Sequence, residues 1–338
     1  MKYALLLMFT TWLLVLPVLG QADANLVRSK AMELQRNNKP AEAAVEIGKL
    51  VALEPNNVRY LFEQAEYFER AKDDAGVLNN IERALKLEPD NEATMIDAVK
   101  HLIVLGTEDR LHRALAVTNN FIAAHSQSEK GYWWRFFVKS RLKDEAGAFN
   151  DISVAARLNP ADATYQLKRA ELASRIGDAK LAQQILAELA GTLQADLAKT
   201  DDPKAKSDIK LHLGSVYGQL AMVYERSGDK ELTIKALTQA ITLDADFYLR
   251  NRAFAYERFG MYKEALADLE LAIAHQKEAD PAGHDMTLIA DRANVFFHLG
   301  DSQRALTDLR ECIRLDPKSK VYYEKTIDRI NQTLEKPN

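Results

Sequence analysis

Histidine, cysteine and clustered carboxylates are the side chains with which proteins most often hold metals, attack carbonyls or move protons. Their spacing here speaks against all three. The seven histidines of the 338-residue chain stand at 101, 112, 125, 212, 275, 284 and 298. No two are three or four apart, the separation that sets two imidazoles on one helix face for a metal. His275 and His284 flank a polar stretch, HQKEADPAGH, and read as part of a solvated loop. Cys312 is the single cysteine, so it can neither close a disulfide within the chain nor build a multi-cysteine zinc site. There is no glycine-rich phosphate loop, GxSxG elbow, HExxH helix or EF-hand loop. The expectation is a non-enzymatic protein with no catalytic residue, no metal site and no cofactor.

Two other patterns suit partner recognition. An arginine recurs at Arg36, Arg70, Arg141, Arg175, Arg226 and Arg258, a column of cations fit for an acidic peptide or polysaccharide. A structural role competes and is the stronger: each stands where a helix ends and a cation meets the helix dipole, with Asp73, Asp144, Asp178 and Asp229 three residues on as caps and ion-pair partners. The second pattern is aromatic. In GYWWRFF, residues 131–137, Trp133 and Phe137 are four apart on one helix face, and Met222, Phe247, Phe254 and Phe297 continue an apolar stripe later in the chain. Trp133 and Phe137 serve either a binding surface or helix packing, and both readings stand. A partner that is nucleic acid is not expected, because 45 Lys and Arg against 49 Asp and Glu leave a net charge of −4.

The elements that carry these residues repeat. LEPNN at 53–57, LEPDN at 87–91, LNPAD at 158–162 and LDPKS at 315–319 close successive segments, and Pro55 and Pro89 are 34 residues apart. Asn38, Lys72, Gly106, Lys143, Gly177, Gly228, Gly260 and Gly300 occupy a turn position within each segment, spaced by 34, 34, 37, 34, 51, 32 and 40. Seven residues before the turn sits a mostly small side chain, four before it a large apolar one, and five after it a small one again, as in Ala253, Tyr256 and Ala265. Both halves of the segment have helical periodicity. The pattern resembles the tetratricopeptide repeat family, most closely at residues 251–273, NRAFAYERFGMYKEALADLELAI. The resemblance implies an all-α, right-handed α-solenoid of about eight helix-turn-helix repeats with a C-terminal capping helix. It also implies a concave surface lined by first helices that takes an extended peptide or a partner helix. Some members of that family hold a C-terminal carboxylate with a lysine and asparagine clamp; the matching positions here carry Phe62 and Glu66, Trp133 and Phe137, or Arg250 and Phe254, so that function is not implied.

The repeats are expected at 24–57, 58–91, 92–128, 129–162, 163–196, 214–245, 246–285 and 286–319, with a cap at 320–335. The phase departs by three residues near Arg110–Arg113, about six in 275–284 and seventeen between Leu193 and Leu213. The last divides an N-terminal block, 23–200, from a C-terminal block, 214–338, with 201–213 as the phase break and helix extension. Asp201 and Asp202 cap a long helix opened by Pro203. Ahead of the repeats, Lys2, the uncharged stretch Ala4–Leu19 and the small residues Gly20, Ala22 and Ala24 have the layout of a signal peptide over 1–22, cleaved after Ala22 or Ala24. No segment after residue 24 approaches membrane-spanning length. The expectation is an exported scaffold, periplasmic in a Gram-negative bacterium and otherwise secreted, that binds a peptide or partner protein in its groove. The alternative is an accessory subunit bracing a cell-envelope or polysaccharide-export complex through its convex face.

Overall fold

The computed structural model describes residues 23–280 and 285–334. The expected signal segment and His284 lie outside the described residues. Among these residues there are seventeen α-helices, one short 3-10 turn and no strand. They pair as α1 (23–36) with α2 (Pro40–Leu53), α3 (Val58–Ala71) with α4 (Asp74–Leu87), α5 (Glu92–Leu105) with α6 (Glu108–Ala124), and α7 (Glu129–Arg141) with α8 (Glu145–Leu158). There follow α9 (Ala163–Arg175) with α10 (Ala179–Lys199), α11 (Pro203–Arg226) with α12 (Lys230–Ile241), α13 (Ala245–Arg258) with α14 (Tyr262–Ala279), α15 (Met286–His298) with α16 (Ser302–Leu315), and α17 (Lys320–Leu334). The eight pairs form an all-α solenoid closed by α17, whose Ile330 is buried against Phe296, Leu306 and Leu309.

A left-handed turn makes each pair, and in five of the eight an aspartate follows it as a cap. All eight turn residues have a left-handed backbone, with φ from 57° at Asn38 to 93° at Gly177. That bend turns the next N–H back to the carbonyl five residues earlier, as in Asp73 to Phe68, Asp144 to Lys139 and Asp229 to Tyr224, each at 2.9 Å, and so closes the first helix. The carboxylates of the same aspartates then accept from Gly76, Gly147 and Leu232 at 2.9–3.0 Å and open the second helix. A single residue thus ends one helix and starts the next. Ala43, Val77, Ala148, Ala182, Ala265 and Ala305 are fully buried at the point where the paired helices approach, where a larger side chain has no room.

A polar rung links the two helices of a pair, eight residues on either side of the turn. Arg135 forks onto Asp151 at 2.9 and 2.6 Å, Arg252 onto Asp268 at 2.8 Å twice, and Arg292 onto Asp308 at 2.9 Å twice. The equivalent residues are Lys30 and Glu46, 3.5 Å apart, in the first pair, and the amides Asn80 and Gln64, 2.9 Å apart, in the second. In the third pair both are alanines, Ala98 and Ala114, and in the sixth they are Leu220 and Ala236, all buried. Charge meets charge, amide meets amide and carbon meets carbon, because a half-buried cation opposite alanine would lack its compensation. The fifth pair departs, with Arg169 opposite Ile185 and its buried Nε without a hydrogen bond.

The chain divides into two compact units between Asn159 and Pro160, forty residues ahead of the boundary expected at 200. The seventeen extra residues at 193–213 make no linker. They lengthen α10 to 21 residues and α11 to 24, seven and ten more than the fourteen of α2 or α3, and the two long helices pack together, with Leu193 buried and Gln194 Nε2 donating to the Tyr217 hydroxyl at 2.7 Å. The shorter insertions behave alike: α6 has 17 residues and α14 has 18.

Candidate partner-binding groove

In the second unit the first helices α11 and α13 leave a cavity of about 640 Å³ between them, floored by Thr233 and Leu237 of α12. Asp202 caps α11 by accepting from the Lys204 and Ala205 amides, and Asp244 caps α13 by accepting from Phe247. These caps fix the faces presented. Met222, Phe247 and Phe254 line the cavity and are 54%, 61% and 60% exposed. Three large apolar side chains open to water at one place are uncommon on a soluble surface, where isolated exposed residues are the rule. The wall is smooth near Gly214 and Gly218, against which the Tyr248 ring lies; a Cβ at either would come within 3.1 Å of it.

Polar groups ring this apolar centre. Arg250 pairs with Asp291 of α15 at 2.7 Å, and Arg258 with Glu225 of α11 at 3.2 Å. The guanidinium of Arg250 is raised by its hydrogen bond to Asp291 against the cost of burial, so it keeps its charge at any working pH. Beyond Gln219 and Met222 the groove continues into a second cavity of about 260 Å³ against α9, lined also by Glu171, Arg175 and Arg226. Such a trough offers contact area, fixed cations and hydrogen-bonding amides. Among the described residues no cluster of three metal-ligating side chains exists.

A tetratricopeptide-repeat profile matches residues 214–247 and 289–319. The chain carries tetratricopeptide repeats. The matched segments hold most of α11, all of α12 and most of α15 and α16, so the groove lies against a recognised repeat. The chain is 24% identical over 242 residues to DnaJ homolog subfamily C member 3 of Gallus gallus, covering 70% of this chain and 45% of that protein. The chain thus spans less than half the length of that relative. Among solved structures, yeast Tom70 superposes with a TM-score of 0.50 at 16% identity, over 88% of this chain and 59% of that one. A tetratricopeptide repeat protein from Parabacteroides merdae ATCC 43184 gives 0.46 at 15% identity, over 81% and 98%.

Of the six residues expected in a tetratricopeptide groove, the structure brings together Met222, Phe247 and Phe254. Phe297 of α15 is half-buried; it packs onto the core beneath α17, and Arg329 stacks on its ring at 5.4 Å. Trp133 and Phe137 belong to α7 of the first unit, where they are half-buried and meet edge to face at 4.8 Å. The arginine column is engaged with the protein: Arg141 donates to the Ile103 carbonyl at 3.2 Å, Arg226 to Ser174 Oγ at 3.0 Å, and Arg258 reaches Glu225, each on the preceding first helix. The aspartates after the turns serve as caps, as expected. The sequence reading missed Gln219, Glu225 and Arg250 as groove residues. Their signal was weak, since only their helical distance from Met222 and Phe254 marks them as the same face.

Proposed function

We propose that this chain is a non-enzymatic scaffold that captures a peptide or a segment of a partner protein in the groove between α11 and α13. The observation that carries this reading is the convergence of Met222, Phe247 and Phe254, each more than half exposed, on one cavity. Burying about 100 Å² of apolar surface on each of three such side chains is worth roughly 7 kcal/mol before the costs of association, enough to anchor a short segment. A second reading, bracing through the second helices, draws support from exposed Val45 and Leu53 on α2 and Leu271 on α14. A photo-crosslinking residue placed at 254 or at 271 separates them. The groove reading expects adducts with a native partner from position 254 and not from 271; the reverse would replace it with bracing.

We also propose export, on the grounds of Lys2, the apolar stretch Ala4–Leu19 and the small residues that follow. No helix among the described residues is long and apolar enough to cross a membrane. N-terminal sequencing of the protein from its native host should find it beginning at Asp23 or Asn25. An intact Met1 on a membrane-bound product would overturn the proposal.

A further inference from the structure

The exposed apolar side chains of the second unit keep a register that selects the shape of an occupant. Met222 stands six residues before Gly228 and Phe254 six before Gly260, so they are equivalent positions on neighbouring first helices. Phe247 stands thirteen before Gly260 and Arg250 ten before it; the matching residues of α11 are Ser215 and Gly218. All six line the cavity of about 640 Å³, which exists because α11 offers a hydroxymethyl group and a bare glycine where α13 offers a ring and a guanidinium. The cavity thus has two apolar seats, one between Met222 and Phe254 and one between Phe247 and the small face of α11.

The seats have a direction. Across α9, α11, α13 and α15, the position six before the turn reads Glu171, Met222, Phe254 and Asn294, and the position thirteen before it reads Thr164, Ser215, Phe247 and Thr287. Apolar character therefore ends within two repeats in the direction that crosses the array, and runs along α13 instead. Phe247 and Phe254 are seven residues apart on that helix, about 10.5 Å along its axis with a drift of only about 20°. A helical ligand reproduces that distance and that face with its own residues i and i+7, whereas a strand places same-face side chains about 6.8 or 13.6 Å apart and misses one seat by about 3 Å. The charges at the rim are already balanced within the chain, Arg250 by Asp291 at 2.7 Å and Arg258 by Glu225 at 3.2 Å, so neither sign of ligand charge is called for. Resting on the groove reading above, we propose that the occupant is an amphipathic α-helix of a partner protein lying along α13. Two large apolar residues seven apart fill the seats, and an uncharged polar side chain between them faces Arg250 and Asn251.

The test is fluorescence polarisation of three fluorescein-labelled, C-amidated peptides with the full chain. AQAEQLAKQAQALAEQAKA has its leucines seven apart on one helix face, AQAEQLAKQALAQAEQAKA has the same composition with leucines five apart, and AQAEQLAKQPQALAEQAKA keeps the first spacing but breaks the helix with proline. The first peptide should bind at least tenfold more tightly than either control, and Phe254→Ala should weaken it at least tenfold with an unchanged melting temperature. Ser215→Phe, which fills the second seat from the α11 side, should bind the first two peptides equally. Equal or tighter binding of the proline peptide overturns the helical occupant in favour of an extended one; equal binding of the five-spaced peptide, or indifference to Ser215→Phe, overturns the pair of seats. A dimer of the full chain alone in sedimentation, lost in Phe254→Ala, hands the seats to a second copy and overturns the partner helix. No binding of any peptide at 1 mM overturns the proposal; photo-crosslinked adducts from position 254 would then leave the groove reading standing, and their absence would remove both.

Discussion

Arg252 and Asp268 allow the internal logic of the repeats to be measured. Asp268 is 5% exposed and receives both arms of the Arg252 guanidinium at 2.8 Å, while Arg252 also donates to Thr238 Oγ1 at 2.8 Å. Removing the arginine strands a buried carboxylate, so Arg252→Leu alone should cost about 3–5 kcal/mol. Asp268→Ala should cost less, about 2–3 kcal/mol, because the guanidinium keeps Thr238 and its side chain is 18% exposed and can turn toward water. The double variant recreates the rung that the sixth pair uses, Leu220 opposite Ala236. It should therefore cost about 1–2 kcal/mol relative to the parent, a coupling of about 3–7 kcal/mol between the two sites. Guanidinium chloride unfolding of the four proteins, followed by circular dichroism at 222 nm with the slope checked for constancy, gives each term. Additive single effects, with coupling under about 0.5 kcal/mol, would refute the claim that the two residues act as one exchangeable unit.

Four further outcomes are expected. Lys72 holds φ of 60°, which costs a side-chain-bearing residue about 1 kcal/mol, so Lys72→Gly should raise stability by roughly 0.5 kcal/mol and Gly177→Ala should lower it by about 1 kcal/mol in the same unfolding assay. Burial raises the Glu257 carboxyl, opposed by the Asn294 hydrogen bond and aided by the Asp291 charge. Its native pKa thus exceeds its unfolded one, stability falls as pH rises through the carboxylate range, and the melting temperature of Glu257→Gln should gain on the parent between pH 4 and pH 7; a constant difference would count against this. Burial, with the charge of Asp308, pushes the Cys312 thiol up to about 11, so iodoacetamide at pH 8 should alkylate the native protein about 100-fold more slowly than the unfolded chain. A fragment of residues 160–338 should melt cooperatively, whereas 203–338 should melt lower because α11 loses the cover of α10; equal melting would place the boundary at 200 instead.

The repeats were legible because the turn device is local. A left-handed residue, a capping aspartate and small residues at fixed distances each act within a few positions, and all eight turn positions read from the sequence have positive φ. Half of the destination of the extra residues was legible: Asp202 and Pro203 mark the start of the long α11, whereas ADLAK at the end of α10 extends a helix as readily as it would form a connection, and the choice rests on α10 and α11 finding each other. The groove was half legible. Apolar side chains at helical spacing marked Met222, Phe247 and Phe254 but equally marked Phe297, and only the position of α17 distinguishes a seat from a covered surface.

The alternation of rung chemistry bears on how a chain of near-copies avoids pairing the wrong copies. Most second helices carry a small residue at the point of close approach, and several have the same fourteen residues, so α13 could close on a foreign second helix of its own chain with limited loss of packing. The rung discriminates. Arg252 against Ala114 or Ala236 leaves a guanidinium without its carboxylate, and Ala98 against Asp268 buries a bare charge, each a penalty of several kcal/mol absent from the native match. A charged rung matched to a hydrocarbon one is thus disfavoured, while the three Arg–Asp rungs, at Arg135, Arg252 and Arg292, are alike and do not tell one another apart. By the same reasoning, a version of this chain in which every rung was Arg and Asp would keep its stability and lose much of its fidelity.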